Sequence, residues 1–268
     1  MDPRRLYSAL VFVPVLYVGI RYSPPWLFSV LIGTVALFAL WEFLSLYFPD
    51  TSSIRTKGFA CMSAALLLVV VHEGVPEILL VGLLGIVVII MAGFFISPIV
   101  AKHRLPGWAA YIFGVLYVGL LLGHYILLRN LENGVALVFF VILVTWLSDT
   151  GGFFVGKTLG KHPLASRLSP KKTIEGLLGG VLFSVIGAIL SQFTFVPFFS
   201  LGQCVMLGVG LALLGALGDL AESAIKRSVS AKDSGTIIPG HGGVLDRVDS
   251  LLFTGPAMYY YVMFSLPS

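Results

Sequence analysis

The fold class is decided by stretches such as residues 107–128, which read GWAAYIFGVLYVGLLLGHYILL and contain no Asp, Glu, Lys or Arg. A helix needs about 20 such residues to cross the hydrocarbon core of a bilayer. Comparable runs recur along the chain, and of its 268 residues 57% are hydrophobic while only 11% are charged. A soluble domain has about 25% charged residues. The composition therefore excludes a soluble enzyme, a coiled coil and a disordered protein, and it predicts a polytopic membrane protein.

Nine apolar runs are candidate transmembrane helices, so the predicted fold class is an all-α integral membrane bundle of about nine helices. The third run is short, and its length is compatible with a tilted helix, a re-entrant helix or a helix that extends into its flanks. We find no convincing internal repeat. The nine runs are residues 6–20, 26–48, 58–71, 78–96, 107–128, 135–148, 177–196, 203–218 and 251–266.

The basic residues indicate how these spans are oriented. If the nine spans alternate in direction, all of the 17 Lys and Arg residues except Arg21 and Arg129 fall in loops on one side. The positive-inside rule then places the N-terminus in the cytoplasm and the C-terminus outside. Basic residues with this role argue against a nucleic-acid partner. The two cysteines, Cys61 and Cys204, lie in apolar stretches and are interpreted as small hydrophobic residues.

Two polar segments, residues 148–176 and 219–250, stand out in the C-terminal half and are predicted to face the cytoplasm. We therefore divide the chain into residues 1–130, whose generic apolar spans offer a surface for a homodimer, and a catalytic region over residues 131–268. More than half of the 13 acidic residues lie in the two polar segments, which places the chemistry at this face: Asp149, Glu175, Asp219, Glu222, Asp233, Asp246 and Asp249.

The second polar segment begins with a helical pattern of charges. Glu222, Ser223, Lys226 and Arg227 follow Asp219 at spacings that place all five residues on one helical face. Exposed helices often carry such mixed faces. Asp219, however, falls at the membrane boundary, where an unpaired carboxylate is costly, and this favours a cation partner.

The same segment continues into a glycine-rich loop and a pair of aspartates. Residues 239–243 read Pro-Gly-His-Gly-Gly, and such a loop is either a simple turn or a place where backbone N–H groups approach an anion. Asp246 and Asp249 follow, three residues apart on one predicted helical face. Paired carboxylates of this kind bind hard divalent cations such as Mg²⁺. Neighbouring Lys and Arg side chains could hold phosphate oxygens bridged to that metal.

The first polar segment carries further cations. Residues 156–161 read Gly-x-x-x-Gly-Lys, but they lack both the preceding strand and the Gly-Lys-Ser/Thr ending of a phosphate-binding P-loop. Residues 169–173, Ser-Pro-Lys-Lys-Thr, are interpreted as a helix N-terminus with two cations that suits a triphosphate. Acidic clusters with Lys, Arg and glycine loops at a membrane face predict phosphoryl or nucleotidyl transfer to or from a lipid.

These residues also form a known pattern: Ser223-x2-Lys226-Arg227-x4-Lys232-Asp233-x5-Pro239-x-His241-Gly242-Gly243-x2-Asp246-Arg247-x-Asp249. The pattern resembles the signature of the phosphatidate cytidylyltransferase (CDP-diacylglycerol synthase) family. Ser148-Asp149-Thr150 and residues 169–176 resemble the second recurrent block of that family. The resemblance covers about residues 145–255, with one departure at Gly152-Phe153, where many members have Ala-Tyr.

The resemblance implies a Mg²⁺-dependent reaction of CTP with phosphatidic acid that yields CDP-diacylglycerol and pyrophosphate, at the inner leaflet of a bacterial-type cell membrane. It implies metal ligands at Asp219, Asp246 and Asp249, which a second cation could share. Catalytic roles are expected for Asp219, Asp246, Lys226 and Arg227. Substrate-binding roles are expected for Ser148, Asp149, Lys171, Lys172, Thr173, Glu175, Ser223, Lys232, His241, Gly242, Gly243 and Arg247.

Two other functions are compatible with part of the pattern. A CTP-dependent polyprenol kinase needs similar groups but transfers the γ-phosphoryl group, so its products are a phospholipid and CDP. A transporter of a phosphorylated solute would also have many apolar spans and basic residues. Transporters, however, tend to place charges near the membrane midplane on broken helices and to show paired repeats. This sequence instead concentrates its charges in the two polar segments, predicted to be cytoplasmic, and shows no convincing repeat.

Overall fold

The computed structural model describes residues 14–49, 54–74, 109–235 and 242–265, together with residues 82, 83, 85 and 107. The chain divides into two compact units: Met1–Asn130 with Asp233–Arg247, and Leu131–Lys232 with Val248–Ser268. Residues 6–13 of the first predicted span, nearly all of the fourth predicted span (78–96) and His241 lie outside the described residues.

Most of the described residues in the first unit are helical. Residues 14–22 form a helical stretch, followed by α1 (Pro25–Tyr47), α2 (Ile54–Glu73) and α3 (Ala109–Asn130). Pro24 and Pro25 explain where α1 begins, because proline suits the first helical turn and disfavours helix in the residue before it. Phe43 of α1 packs against α3, where its ring centroid lies 5.8 Å from that of Phe113.

α3 contains a wider, π-helical turn over Val115–Leu120. Gly119, in this turn, lies against Ala64 of α2, so that a Cβ atom at Gly119 would be 3.5 Å from the Ala64 side chain. Small residues let helices approach closely, as is common between membrane helices.

The second unit contains α4 (Gly134–Leu159), a hairpin of β1 (Pro163–Ala165) and β2 (Ser169–Thr173), α5 (Ile174–Gln192) and α6 (Leu201–Ser228). It also holds most of α7 (Leu245–Ser265). Glycines make the packing of these helices close. A Cβ atom at Gly208 of α6 would lie 2.7 Å from the Val185 backbone of α5, and the Ser184 hydroxyl donates to the Gly208 carbonyl at 2.7 Å.

Six helices among the described residues are long and apolar enough to cross a membrane, which confirms the all-α integral membrane class. They match the predicted spans 26–48, 58–71, 107–128, 135–148, 177–196 and 203–218. The short third span is a complete helix of 20 residues, because α2 begins at Ile54. The ninth predicted span, 251–266, falls on α7, which is not one of the six.

The first polar segment differs from the prediction in two ways. α4 continues to Leu159, so the beginning of segment 148–176 is helix rather than loop. Ser169–Thr173 is a β-strand that leads directly into α5, and of its residues only Thr173, which is extended (φ −122°, ψ 156°) as N-cap residues are, belongs to the helix N-terminus. β2 pairs antiparallel with β1, with Pro163 opposite Thr173 and Ala165 opposite Ser169. The all-α class therefore includes one short hairpin.

Candidate active site

Three carboxylates meet in the second unit. Asp219 and Glu222, nearly one turn apart on α6, lie with Asp249 of α7 so that one oxygen atom from each falls within 4.8 Å of the others. Gly218 permits this approach, because a Cβ atom at that position would lie 2.5 Å from the Asp249 carbonyl oxygen. The described part of the chain thus holds a group of oxygen donors suited to one cation.

The carboxylates are crowded as well as close. Burial, followed by the carboxylate of Asp219, raises the pKa of Asp249, which precedes the apolar part of α7, to about 7. Asp249 Oδ1 accepts a hydrogen bond from the Ser250 N–H at 2.7 Å. Asp149, from α4, interacts electrostatically with Asp219 and Asp249 and is hydrogen-bonded to the Ser250 side chain. Asp149, Asp219 and Asp249 therefore influence one another at this site.

Two lysines partly neutralise this negative charge. Lys172 of β2 forms an ion pair with Asp219, and Lys226 pairs with Glu222 at 2.5 Å, one turn further along α6. Glu222 is only 1% exposed. With Asp149 included, the group has two more carboxylates than ammonium groups. A group of oxygen ligands in which carboxylates outnumber ammonium groups is the chemistry that a hard divalent cation such as Mg²⁺ complements.

A second set of acidic residues lies in the first unit, around the loop Asp233–Arg247. The Asp246 carboxylate accepts hydrogen bonds from the backbone N–H groups of Ser234 (3.1 Å) and Gly243 (2.9 Å). Gly242, beside Gly243, has φ +83°, a conformation that favours glycine. Asp246 therefore closes the loop through backbone donors, and it belongs to the unit that does not contain the three clustered carboxylates.

Glu42 of α1 supports the same loop. Its Oε2 accepts hydrogen bonds from the Leu245 N–H at 2.8 Å and from the Ser234 hydroxyl at 3.3 Å. The residue is 2% exposed. A buried carboxylate from the second predicted span thus contacts a loop about 200 residues later in the chain, as its separation of 203 residues from Leu245 shows.

Two predicted substrate-binding residues make local contacts at the hairpin. The Thr173 hydroxyl accepts a hydrogen bond from the Gly176 N–H at 3.1 Å and caps α5. The Glu175 carboxylate accepts from the Lys161 N–H at 3.0 Å and pairs with His162 Nδ1 at 2.5 Å. Both residues therefore hold the hairpin against the start of α5, and a role in substrate binding stays a prediction.

The other predicted site residues lie on these helices and strands or in the segments beside them. Ser148 lies on α4 against α5, since a Cβ atom at Gly180 would be 3.0 Å from its hydroxyl oxygen. Ser223 of α6 is half-buried and Gly243 is buried. Solvent-exposed positions are occupied by Lys171, Arg227, Lys232 and Arg247.

Sequence reasoning missed two acidic residues. Glu222 was noted on the α6 face but was not assigned as a metal ligand, although it is one of the three clustered carboxylates. Glu42 was not considered at all. A signal for it was present, because Glu42 is the sole Asp, Glu, Lys or Arg within residues 26–48. An ionisable residue inside an apolar span indicates a functional or structural partner.

The fold and the site together define an integral membrane protein with a cluster of carboxylates that are partly paired with lysines. The chain belongs to the cytidylyltransferase family, whose family model matches residues 3–265. It is 33% identical over 261 residues to a phosphatidate cytidylyltransferase from Staphylococcus epidermidis and 34% identical over 258 residues to one from Staphylococcus aureus, in both cases over 94% of each chain. A stretch of 149 residues, 54% of each chain, is 42% identical to the phosphatidate cytidylyltransferase of Bacillus subtilis.

Proposed function

We propose that this protein is a phosphatidate cytidylyltransferase, which converts CTP and phosphatidic acid into CDP-diacylglycerol and pyrophosphate in phospholipid biosynthesis. The observation that carries the proposal is the ion pair between Lys172 and Asp219 beside the clustered carboxylates. Lys172 comes from the first polar segment and Asp219 from the second. Residues from both signature blocks of the family thus meet in one group.

The carboxylates fit a magnesium requirement. Asp219, Glu222 and Asp249 supply oxygen donors within 4.8 Å of one another, and Mg²⁺ prefers such ligands. We propose Asp246 as a further ligand, and a second cation could share the group. When bound, Mg²⁺ would act as a Lewis acid that neutralises charge on the phosphate oxygens.

The remaining chemistry is positioning and charge neutralisation. An anionic phosphate oxygen of phosphatidic acid attacks the α-phosphorus of CTP in line; the new P–O bond forms as the bond to pyrophosphate breaks. Because the attacking oxygen is already an anion, no side chain has to remove a proton from it. Lys172 and Lys226 would offer ammonium groups to phosphate oxygens in exchange for their present carboxylate partners.

Other signature residues would complete the substrate site. The expected phosphate contacts come from Lys171, Arg227, Lys232 and Arg247. The loop residues His241, Gly242 and Gly243 would line the pocket, and further substrate contacts are assigned to Ser148, Asp149, Thr173, Glu175 and Ser223. We propose that this site faces the cytoplasm at the inner leaflet, with the N-terminus inside and the C-terminus outside. The apolar N-terminal spans would provide a homodimer interface.

The test is an assay of the purified protein with phosphatidic acid and CTP labelled at either the α- or the γ-phosphorus, with and without Mg²⁺. We expect α-label in a lipid product, γ-label in pyrophosphate, and no product in EDTA. A lipid kinase would instead place γ-label in the lipid and release CDP. The Asp219→Asn variant serves as the control for contaminating activity. The proposal would be overturned if folded wild-type protein, assayed with Mg²⁺, transferred no α-label to lipid.

A further inference from the structure

We infer that Glu42 is a positioning residue: from within the N-terminal helices, it holds the described parts of the segment Asp233–Arg247, residues 233–235 and 242–247, in the positions that substrate binding requires. This inference rests on the proposed function, because the loop carries the proposed ligand Asp246 and the proposed substrate residues Gly242, Gly243 and Arg247. No substrate or metal contact is assigned to Glu42 itself.

A single carboxylate oxygen joins both ends of the loop. Glu42 Oε2 accepts from the Ser234 hydroxyl near the beginning of the loop and from the Leu245 N–H near its end. Leu245 is the first residue of α7, whose early N–H groups have no acceptor within the helix. A buried negative charge is a strong acceptor for such a group. Glu42 thereby determines both where α7 begins and how far apart the loop ends lie.

The backbone around Glu42 is shaped to receive this side chain. A Cβ atom at Gly235 would lie 2.6 Å from Glu42 Oε1, and a Cβ atom at Gly243 would collide with both Glu42 and the Ser234 hydroxyl. Both glycines therefore let the loop backbone approach the carboxylate directly. The fit leaves no room for side chains at these two positions.

Glu42 and Asp246 both accept hydrogen bonds from Ser234. Ser234 donates its hydroxyl to Glu42 and its backbone N–H to Asp246. The Asp246 side chain in turn accepts from the Gly243 N–H. Loss of Glu42 would leave the internal Asp246 contacts in place but release the loop from α1. The expected result is a loop that still forms but is poorly positioned.

The free-energy cost of burying the Glu42 carboxylate indicates a functional role rather than a role in packing. A carboxylate buried within an apolar span is expensive unless hydrogen bonds compensate it, and an apolar residue of similar size would pack there without that cost. The neighbours of Glu42 on α1, such as Phe43 and Leu44, are fully buried apolar residues. Unlike these neighbours, Glu42 provides an oxygen atom that accepts hydrogen bonds from the loop.

Hydrogen–deuterium exchange of the full chain in detergent micelles tests this inference, together with kcat/KM for CTP. In Glu42→Ala we expect the amides of residues 233–235 and 242–247 to exchange faster, and kcat/KM to fall by about 10- to 100-fold, the effect typical of residues that support a ligand. Glu42→Gln keeps an acceptor oxygen without the charge and should give a smaller change in both. The matched control is Leu44→Ala, which removes a fully buried side chain from the same helix. It should lower the melting temperature while leaving loop exchange unchanged.

The inference would be overturned if Glu42→Ala showed the same loop exchange and the same kcat/KM as Leu44→Ala. Faster loop exchange with an unchanged kcat/KM would overturn it as well, since the loop would then be anchored without consequence for the reaction. If Glu42→Ala does not fold, the same two readouts in Glu42→Gln decide. The exchange measurement needs no activity, so an inactive wild type would count against the proposed function and not against the anchoring role of Glu42.

Discussion

The two units use carboxylates in different ways. In the first unit, the carboxylates of Glu42 and Asp246 accept hydrogen bonds from N–H and O–H donors that belong to one loop. In the second unit, Asp219 and Glu222 face lysine side chains, and Asp249 lies beside other carboxylates. Backbone donors have fixed positions, whereas lysine side chains can exchange one oxygen partner for another. The hydrogen-bond and ion-pair partners of an acidic residue therefore indicate better than its position in a sequence pattern whether it holds a loop in place or offers oxygens to a cation.

The largest effect is expected for Asp249→Asn. This change deletes a proposed metal ligand, and kcat/KM should fall by more than the roughly 10- to 100-fold typical of residues that only support a ligand. Stability in EDTA should be retained or raised, because repulsion among the carboxylates decreases. The increase in melting temperature that Mg²⁺ produces in wild type should disappear. An unchanged Mg²⁺ effect in the variant would remove Asp249 from the ligand set.

Asp246→Asn should behave differently even if Asp246 is also a ligand. Its carboxylate accepts two backbone hydrogen bonds, so an amide there weakens both, and the melting temperature should fall in EDTA as well as in Mg²⁺. Turnover should also be lost. The melting temperatures of Asp246→Asn and Asp249→Asn, measured in EDTA and in Mg²⁺, are compared. Equal stability of the two variants in EDTA would contradict the distinction between the units.

Lys226→Met should lower kcat/KM by about 10- to 150-fold, corresponding to about 1.5–3 kcal/mol for one charge-assisted contact. The position of Lys226 in a polar segment gives by itself no reason to expect an effect on folding. The structure changes that expectation, because Lys226 pairs with Glu222, which is 1% exposed. Breaking a buried pair costs about 3–5 kcal/mol.

Chemical denaturation of Lys226→Met and of the double variant Glu222→Gln/Lys226→Met separates these effects. The double variant should regain stability, since no buried charge is left alone, but it should not regain activity. A single variant as stable as wild type would show that the pair is not a structural contact.

A smaller difference is expected between two adjacent lysines of β2. Successive strand residues point to opposite faces: Lys172 pairs with Asp219, whereas Lys171 is exposed. Lys172→Met should therefore reduce kcat/KM about tenfold more than Lys171→Met. Both variants should keep their melting temperature within a few degrees, because partly exposed ion pairs contribute about 0–1 kcal/mol. Equal losses of activity in the two variants would contradict the assignment of Lys172 to the cluster.

The last prediction concerns the side of the membrane on which the polar segments lie. In a background without Cys61 and Cys204, cysteines introduced at the exposed positions Arg167 and Asp233 should react with a membrane-impermeant maleimide only when the cytoplasmic face is open. A cysteine at exposed Asn130 should react from the other face and serves as the control. Labelling of positions 167 and 233 from opposite faces would contradict the proposed topology.

Much of the fold could be predicted because membrane spans depend on local properties. The length and apolarity of a run decide whether it can cross a bilayer, and six of the predicted spans correspond to helices. Helical periodicity likewise placed Glu222 and Lys226 on one face of α6, where they form an ion pair. The boundaries were less predictable. α4 continues past Ser148, and Ser169–Thr173 pairs as a strand, because hairpin contacts and not the composition of the segment decide its conformation.

By itself, the sequence determined the membrane class, the family pattern and the residue types available for binding a metal and phosphates. Only the tertiary structure decided which of those residues meet. The pairing of Lys172 with Asp219, the close approach of Asp249 at Gly218 and the reach of Glu42 to Leu245 join residues far apart in the chain. Such contacts depend on how whole helices pack, and a local pattern of hydrophobic and charged residues carries no information about which distant partner a buried carboxylate will find.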